Sequence, residues 1–163
     1  ANMTKNNMKE LVSLFYESAL EAFSFLDDGT PFGNGMLYPD VYAGARVVFT
    51  AKNLAIECVL DIKDDDVGCN IVGIVDGVVA SGGYYDSHGQ IVRQLLSALA
   101  ARRDAKWSPL YSKKTRQPVA ERIPIELDHY AKLLQAWCPD ILADSPDALT
   151  YAGSPNSVDK PTV

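Results

Sequence analysis

Ala45-Arg46-Val47-Val48-Phe49-Thr50, Leu54-Ala55-Ile56-Glu57-Cys58-Val59-Leu60-Asp61-Ile62 and Cys69-Asn70-Ile71-Val72-Gly73-Ile74-Val75 follow one another with turn-forming residues between them. All three runs are rich in β-branched residues. The second alternates, with Ile56, Cys58, Leu60 and Ile62 on one face and Glu57, Val59 and Asp61 on the other, so it reads as a strand with one buried side. Lys52-Asn53 is turn-prone, Lys63 to Gly68 breaks the apolar pattern, and Asp76-Gly77 is a pair favoured in tight hairpins. The stretch therefore predicts a three-stranded antiparallel meander, extended to a fourth strand by Val78-Val79.

Working outward, Met8, Leu11, Val12, Phe15, Ala19, Ala22, Phe23 and Leu26 recur at helical spacing, with Thr4 as a cap and Asp27-Asp28-Gly29 as the stop. Residues 30–40 read as a connector. After the sheet, Ser87-His88-Gly89-Gln90 has the form of a capping box ahead of Ile91, Val92, Leu95, Leu96 and Leu99. This predicts a second helix that ends at Arg102-Arg103, where cations suit the helix dipole. Residues 104–123 lack periodicity. Pro124, Glu126 and Asp128 read as the first turn of a third helix carrying Leu127, Tyr130, Ala131, Leu134, Trp137 and Cys138, with Pro139 closing it. The order is α+β: an N-terminal helix, a three- or four-stranded antiparallel sheet, then two helices packed on the sheet. One domain is expected over residues 1–153, followed by a polar tail at 154–163.

The chain has 163 residues, 47% of them apolar, and a formal net charge of −6. That charge disfavours direct contact with nucleic-acid phosphates or an anionic membrane surface, because the only basic patch is Lys113-Lys114-Thr115-Arg116. No apolar run approaches the roughly 20 residues needed to cross a bilayer. Cys58, Cys69 and Cys138 show no paired spacing and fall in apolar stretches, which suits free core thiols in a reducing, cytoplasmic setting.

No catalytic set is legible. His88 and His129 are each isolated, a grouping of Cys58, Cys69 and His129 has no metal-ligand spacing, and Gly82-Gly83 lacks the downstream residues of a phosphate loop. No catalytic residue, metal or cofactor is expected. What the sequence does offer is acid on turns and outward strand positions: Glu57, Asp61, Asp64, Asp65, Asp66 and Asp76, joined by Tyr84, Tyr85 and Asp86 in a loop after the sheet. Exposed carboxylate with tyrosine suits an interface to a basic partner. The same acids equally serve to solubilise turns and blunt an edge strand.

The acidic, motif-free layout, with its alternating Ile56-Glu57-Cys58-Val59-Leu60-Asp61 strand, acidic turn, second strand, amphipathic helix and final helix running into Pro139-Asp140-Ile141-Leu142, resembles bacterial immunity proteins of contact-dependent growth inhibition systems. The resemblance implies a non-enzymatic protein that binds and neutralises a cognate basic toxin domain of nuclease type, and it supplies no fixed binding residues. The competing expectation is a small enzyme or ligand-binding domain whose site is built from loops.

Overall fold

The computed structural model describes residues 5–40, 44–80, 82–103 and 117–149. In chain order these form helix α1 (Lys5–Ala22), a 3-10 turn (Ser24–Asp27), strands β1 (Met36–Asp40), β2 (Gly44–Thr50), β3 (Leu54–Asp61), β4 (Asp66–Val75), β5 (Val78–Val79) and β6 (Arg93–Leu95), then helices α2 (Leu96–Arg103), α3 (Val119–Trp137) and α4 (Pro139–Leu142). The layout is the expected α+β one. Thr4, Tyr42, Trp107, Tyr111, the basic patch at 113–116 and the tail at 154–163 lie outside the described residues.

The sheet is larger than the three or four strands expected. Strands β1 to β5 lie side by side in chain order, every pairing antiparallel, and β6 pairs with β4. Both extra strands were hidden by composition. β1 lies in the stretch read as a connector, where Pro39 argues against a strand; it is tolerated because β1 is the edge of the sheet, where a missing ladder donor costs nothing. β6 lies where the second helix was expected to begin. Helix α2 starts only at Leu96, since Ser87-His88-Gly89-Gln90 does not cap a helix. The Asp86 carboxylate instead accepts the backbone N–H groups of His88 and Gln90, at 2.8 and 2.9 Å, and folds the segment into a turn.

The meander itself follows the expected turns. Ala51 N–H donates to the Leu54 carbonyl at 2.9 Å across Lys52-Asn53. Asp76 and Gly77 both take positive φ, at 53° and 76°, which closes the β4–β5 hairpin as a primed turn. The core lies between the sheet face carrying Ile56, Cys58, Leu60, Val67, Cys69 and Ile71 and the helices, with Phe15, Phe23, Leu96, Leu99, Ile123, Leu127 and Leu134 opposite. Helix α3 begins earlier than expected, at Val119 after Pro118, so Pro124 stands inside it rather than in its first turn. Pro139 does close α3 and opens α4.

A contact across most of the chain locks the β2–β3 turn. Asp144, just past α4 and at positive φ, offers its carboxylate to the backbone N–H groups of Lys52, Asn53 and Leu54 at 2.9 to 3.1 Å, while the Asn53 amide donates to the Asp144 carbonyl at 3.0 Å. A turn that would leave three donors without a protein acceptor is thereby satisfied from the far end of the fold.

Candidate interaction face

The sheet has a second face, away from the helices, and its ladder register places the candidate residues on it. Met36, Val48, Glu57, Asn70 and Leu95 lie in one line across five strands; Tyr38, Arg46, Val59 and Gly68 form the next, and Asp40, Gly44, Asp61 and Asp66 the third. Strand spacing makes the first line about 19 Å long.

Glu57 was expected in water. It is 2% exposed. Its carboxylate takes hydrogen bonds from Arg46 (2.9 Å), Asn70 (2.9 Å) and Arg93 (3.2 and 3.0 Å). Burial alone pushes the group up from its ordinary value of 4.5, but the bonds from Asn70 and Arg93, the Arg93 charge and the bond from Arg46 together hold it below. The sequence showed Glu57 on the outward face correctly; what it could not show is that Val48, Ala55 and Val72 on that face are covered by Ile74, Val79 and Ala80. Arg93 also donates to the carbonyls of Ala80 (2.9 Å) and Gly83 (3.2 Å). The buried pair is therefore a clamp that sets the start of the tyrosine loop. Glu57, expected on the surface, is buried in this clamp with its carboxylate engaged by Arg46, Asn70 and Arg93.

Two further acids take hydrogen bonds within the fold. The Asp65 carbonyl accepts from Arg122, which is 2% exposed, and its carboxylate lies 3.3 Å from the same guanidinium. Arg122, on α3, bonds in addition to Glu126 and to the Gln117 carbonyl. The Asp61 carboxylate accepts the Asp64 N–H at 3.0 Å, so the β3–β4 turn is held in shape by its own acid.

The expected acids do not make one surface. Asp61, Asp64, Asp65 and Asp66 gather at one end of β4, and Asp76 sits past the other end, about 30 Å along the strand. Tyr84, Tyr85 and Asp86 flank β6: Val92 N–H donates to the Tyr84 carbonyl at 2.9 Å, and Tyr85 bridges Ile91. There Tyr84, Tyr85, Ile91, Leu95 and Arg102 line a groove of about 280 Å³. The hydrogen bonds from Gln90 and His88 hold the Asp86 carboxyl below its usual range.

Sequence reasoning missed Met36 and Leu95 on this face, and read Tyr38 as a loop residue rather than a strand one. Met36 is 57% exposed, Tyr38 47% and Leu95 43%. Tyr38 stacks under the Arg46 guanidinium, 5.5 Å from the ring centre. The signal for Met36 and Tyr38 was alternation within Met36-Leu37-Tyr38-Pro39-Asp40, masked by the proline. His88 lies exposed on the Asp86 turn. His129 lies on α3, where burial lowers its pKa despite the charge of Asp128. Among the described residues no group of three His, Cys, Asp or Glu side chains is arranged to hold a metal ion, and no helix is long and apolar enough to cross a membrane. Comparison with protein-family models, curated proteins and solved structures gave no match.

Proposed function

We propose that the chain is a binding protein of the immunity type, which occupies the basic surface of a cognate toxin domain, of nuclease type, with the open face of its sheet. The observation that carries this reading is the third line of that face. Asp61 and Asp66 stand directly opposite each other on β3 and β4. Like charges in opposition cost stability, so a fold that keeps them there gains from a cation brought by a partner. Exposed Tyr38 beside that line, and Met36 farther along the same strand, supply the apolar contact that charge alone does not, and aromatic residues and Met are enriched at interfaces. A nuclease must present cations to phosphates; an acidic protein that covers them blocks substrate without any chemistry of its own.

The test takes the reading frame directly upstream of this chain, which on this reading encodes the toxin domain; an upstream frame that encodes none counts against it. The wild-type protein should bind that domain one to one and suppress its activity, with an association rate that falls steeply as salt rises. Asp61→Lys combined with Asp66→Lys should slow association at least tenfold at low salt. A toxin neither bound nor inhibited would remove the reading. The competing loop-built ligand site has its own support in the groove beside Tyr84 and Tyr85. It predicts the reverse pattern, function lost on Tyr85→Ala and kept in the double lysine variant.

A further inference from the structure

Cys58 and Cys69 face each other across β3 and β4, both fully inside the core, at 0% and 1% exposure. The phase of the ladder decides how close they come. Ile74 N–H donates to the Asn53 carbonyl, which makes residues 53 and 74 a hydrogen-bonded pair one step beyond the Leu54↔Gly73 register. Hydrogen-bonded and non-hydrogen-bonded pairs alternate from there, so 55 with 72, 57 with 70 and 59 with 68 are bonded, and 58 with 69 is not. The neighbouring ladder agrees. Ala51 N–H to the Leu54 carbonyl fixes Val47 with Cys58 as a bonded pair, turning the Cys58 backbone groups toward β2 and away from β4.

Non-hydrogen-bonded partners are the closely spaced ones, with Cα atoms about 4.5 Å apart and side chains nearer than at bonded sites, within the range a disulfide spans. The Cys69 thiol is held protonated: its pKa is raised by its hydrogen bond to the Cys58 sulfur, by burial and by the charges of Cys58 and Glu57. Each cysteine alone is an ordinary core residue. Two of them in the one register that brings sulfur toward sulfur are placed to be joined by a bond.

We propose that Cys58 and Cys69 are an oxidation site that closes to a cross-strand disulfide, with a small-molecule disulfide such as oxidised glutathione as the oxidant. The step balances as thiol–disulfide exchange. One cysteine thiolate attacks a glutathione sulfur and expels the first glutathione thiolate; the second attacks the resulting mixed disulfide, forms the protein S–S bond and expels the other. Two protein thiols lose two protons and two electrons, and one glutathione disulfide becomes two thiols. Both sulfurs are covered in the closed sheet, so exchange passes through states in which β3 and β4 part. The product staples the arm that carries Asp61 and Asp66, three ladder pairs from its turn.

The experiment is to unfold the full chain under reducing conditions and refold it in a buffer of oxidised and reduced glutathione, where burial does not limit access. The product is then denatured, alkylated and mapped by mass spectrometry. The expected result is a single alkyl group, on Cys138, a linked peptide joining Cys58 to Cys69, and a melting temperature raised by about 5–10 °C that dithiothreitol reverses. Urea below the unfolding transition should speed oxidation of the native chain. Cys58→Ser and Cys69→Ser should each fold, abolish the shift and leave two alkylated thiols. Three alkyl groups after refolding, a bond to Cys138, or an oxidised chain that melts lower than the reduced one would each overturn the assignment.

Discussion

Glu57 receives an arginine from each side, Arg46 from β2 and Arg93 from β6, and only Arg93 is buried with it, at 8% side-chain exposure against 40% for Arg46. Removing the carboxylate leaves the Arg93 charge in the sheet without its counter-ion, so Glu57→Ala should cost about 3 kcal/mol, read as a shift in the urea midpoint. Arg46→Ala should cost well under half of that, because water takes over at an exposed partner. The pH dependence has a definite sign. The folded pKa of Glu57 lies below its ordinary value of 4.5, so its stabilisation is complete above that value and is lost as pH falls through the folded one. Glu57→Gln should flatten the acid limb of a stability–pH profile. A limb unchanged by the substitution would mean that other carboxylates dominate it. Asp144 makes a second case: Asp144→Gly keeps the positive φ accessible while removing the acceptor of three N–H groups, and a loss of about 1–3 kcal/mol would assign the effect to those bonds.

At the scale of elements, glycines mark where backbone geometry is fixed and where it is open. Gly44 has φ +133°, and a Cβ there would meet the Leu60 carbonyl oxygen at 1.9 Å, so Gly44→Ala should disrupt the β2–β3 pairing and cost more than about 3 kcal/mol. Gly68, two pairs from the acidic turn, has nothing within 4 Å of that position. Gly68→Ala should leave stability unchanged or slightly improved, since Gly weakens a strand interior. Pro124 stands inside α3 and is exposed, so Pro124→Ala should stabilise the helix by about 1 kcal/mol or more, visible in thermal unfolding. These elements also show what was readable in the chain. β2, β3, β4 and the Asp76-Gly77 hairpin could be read because period-two patterns and turn residues are local signals. β1 and β6 could not, since a proline hid one and an apparent cap displaced the other, and both exist through pairing with distant strands. The exposure of Asp64, Asp66 and Asp76 followed from their turns, whereas Asp61 and Asp65, expected in water with them, are half-buried. The burial of Glu57 did not, because it depends on two arginines, 11 and 36 residues away, folding over one face.

Taken whole, the molecule spends its two sheet faces differently. One is closed by α1, α2 and α3; the other is closed over Ala55 and Val72 and open over Tyr38, Val59 and the line of aspartates. A surface divided in this way predicts that partner binding and folding stability respond to separate substitutions, so that Tyr38→Ala lowers affinity without moving the melting temperature by more than a degree or two. The Asp144 clasp has a consequence in time. The turn at Lys52-Asn53-Leu54 receives its acceptor from a residue about 90 positions later. On the ribosome, at roughly 5–20 residues per second, the hairpin emerges several seconds before the residue that secures it. During that interval the turn's three N–H groups lack the carboxylate that secures them. The nascent chain should therefore become protease-resistant late, when the segment around α4 has cleared the exit tunnel, and Asp144→Gly should prolong the sensitive period far more than it shortens the lifetime of the finished protein.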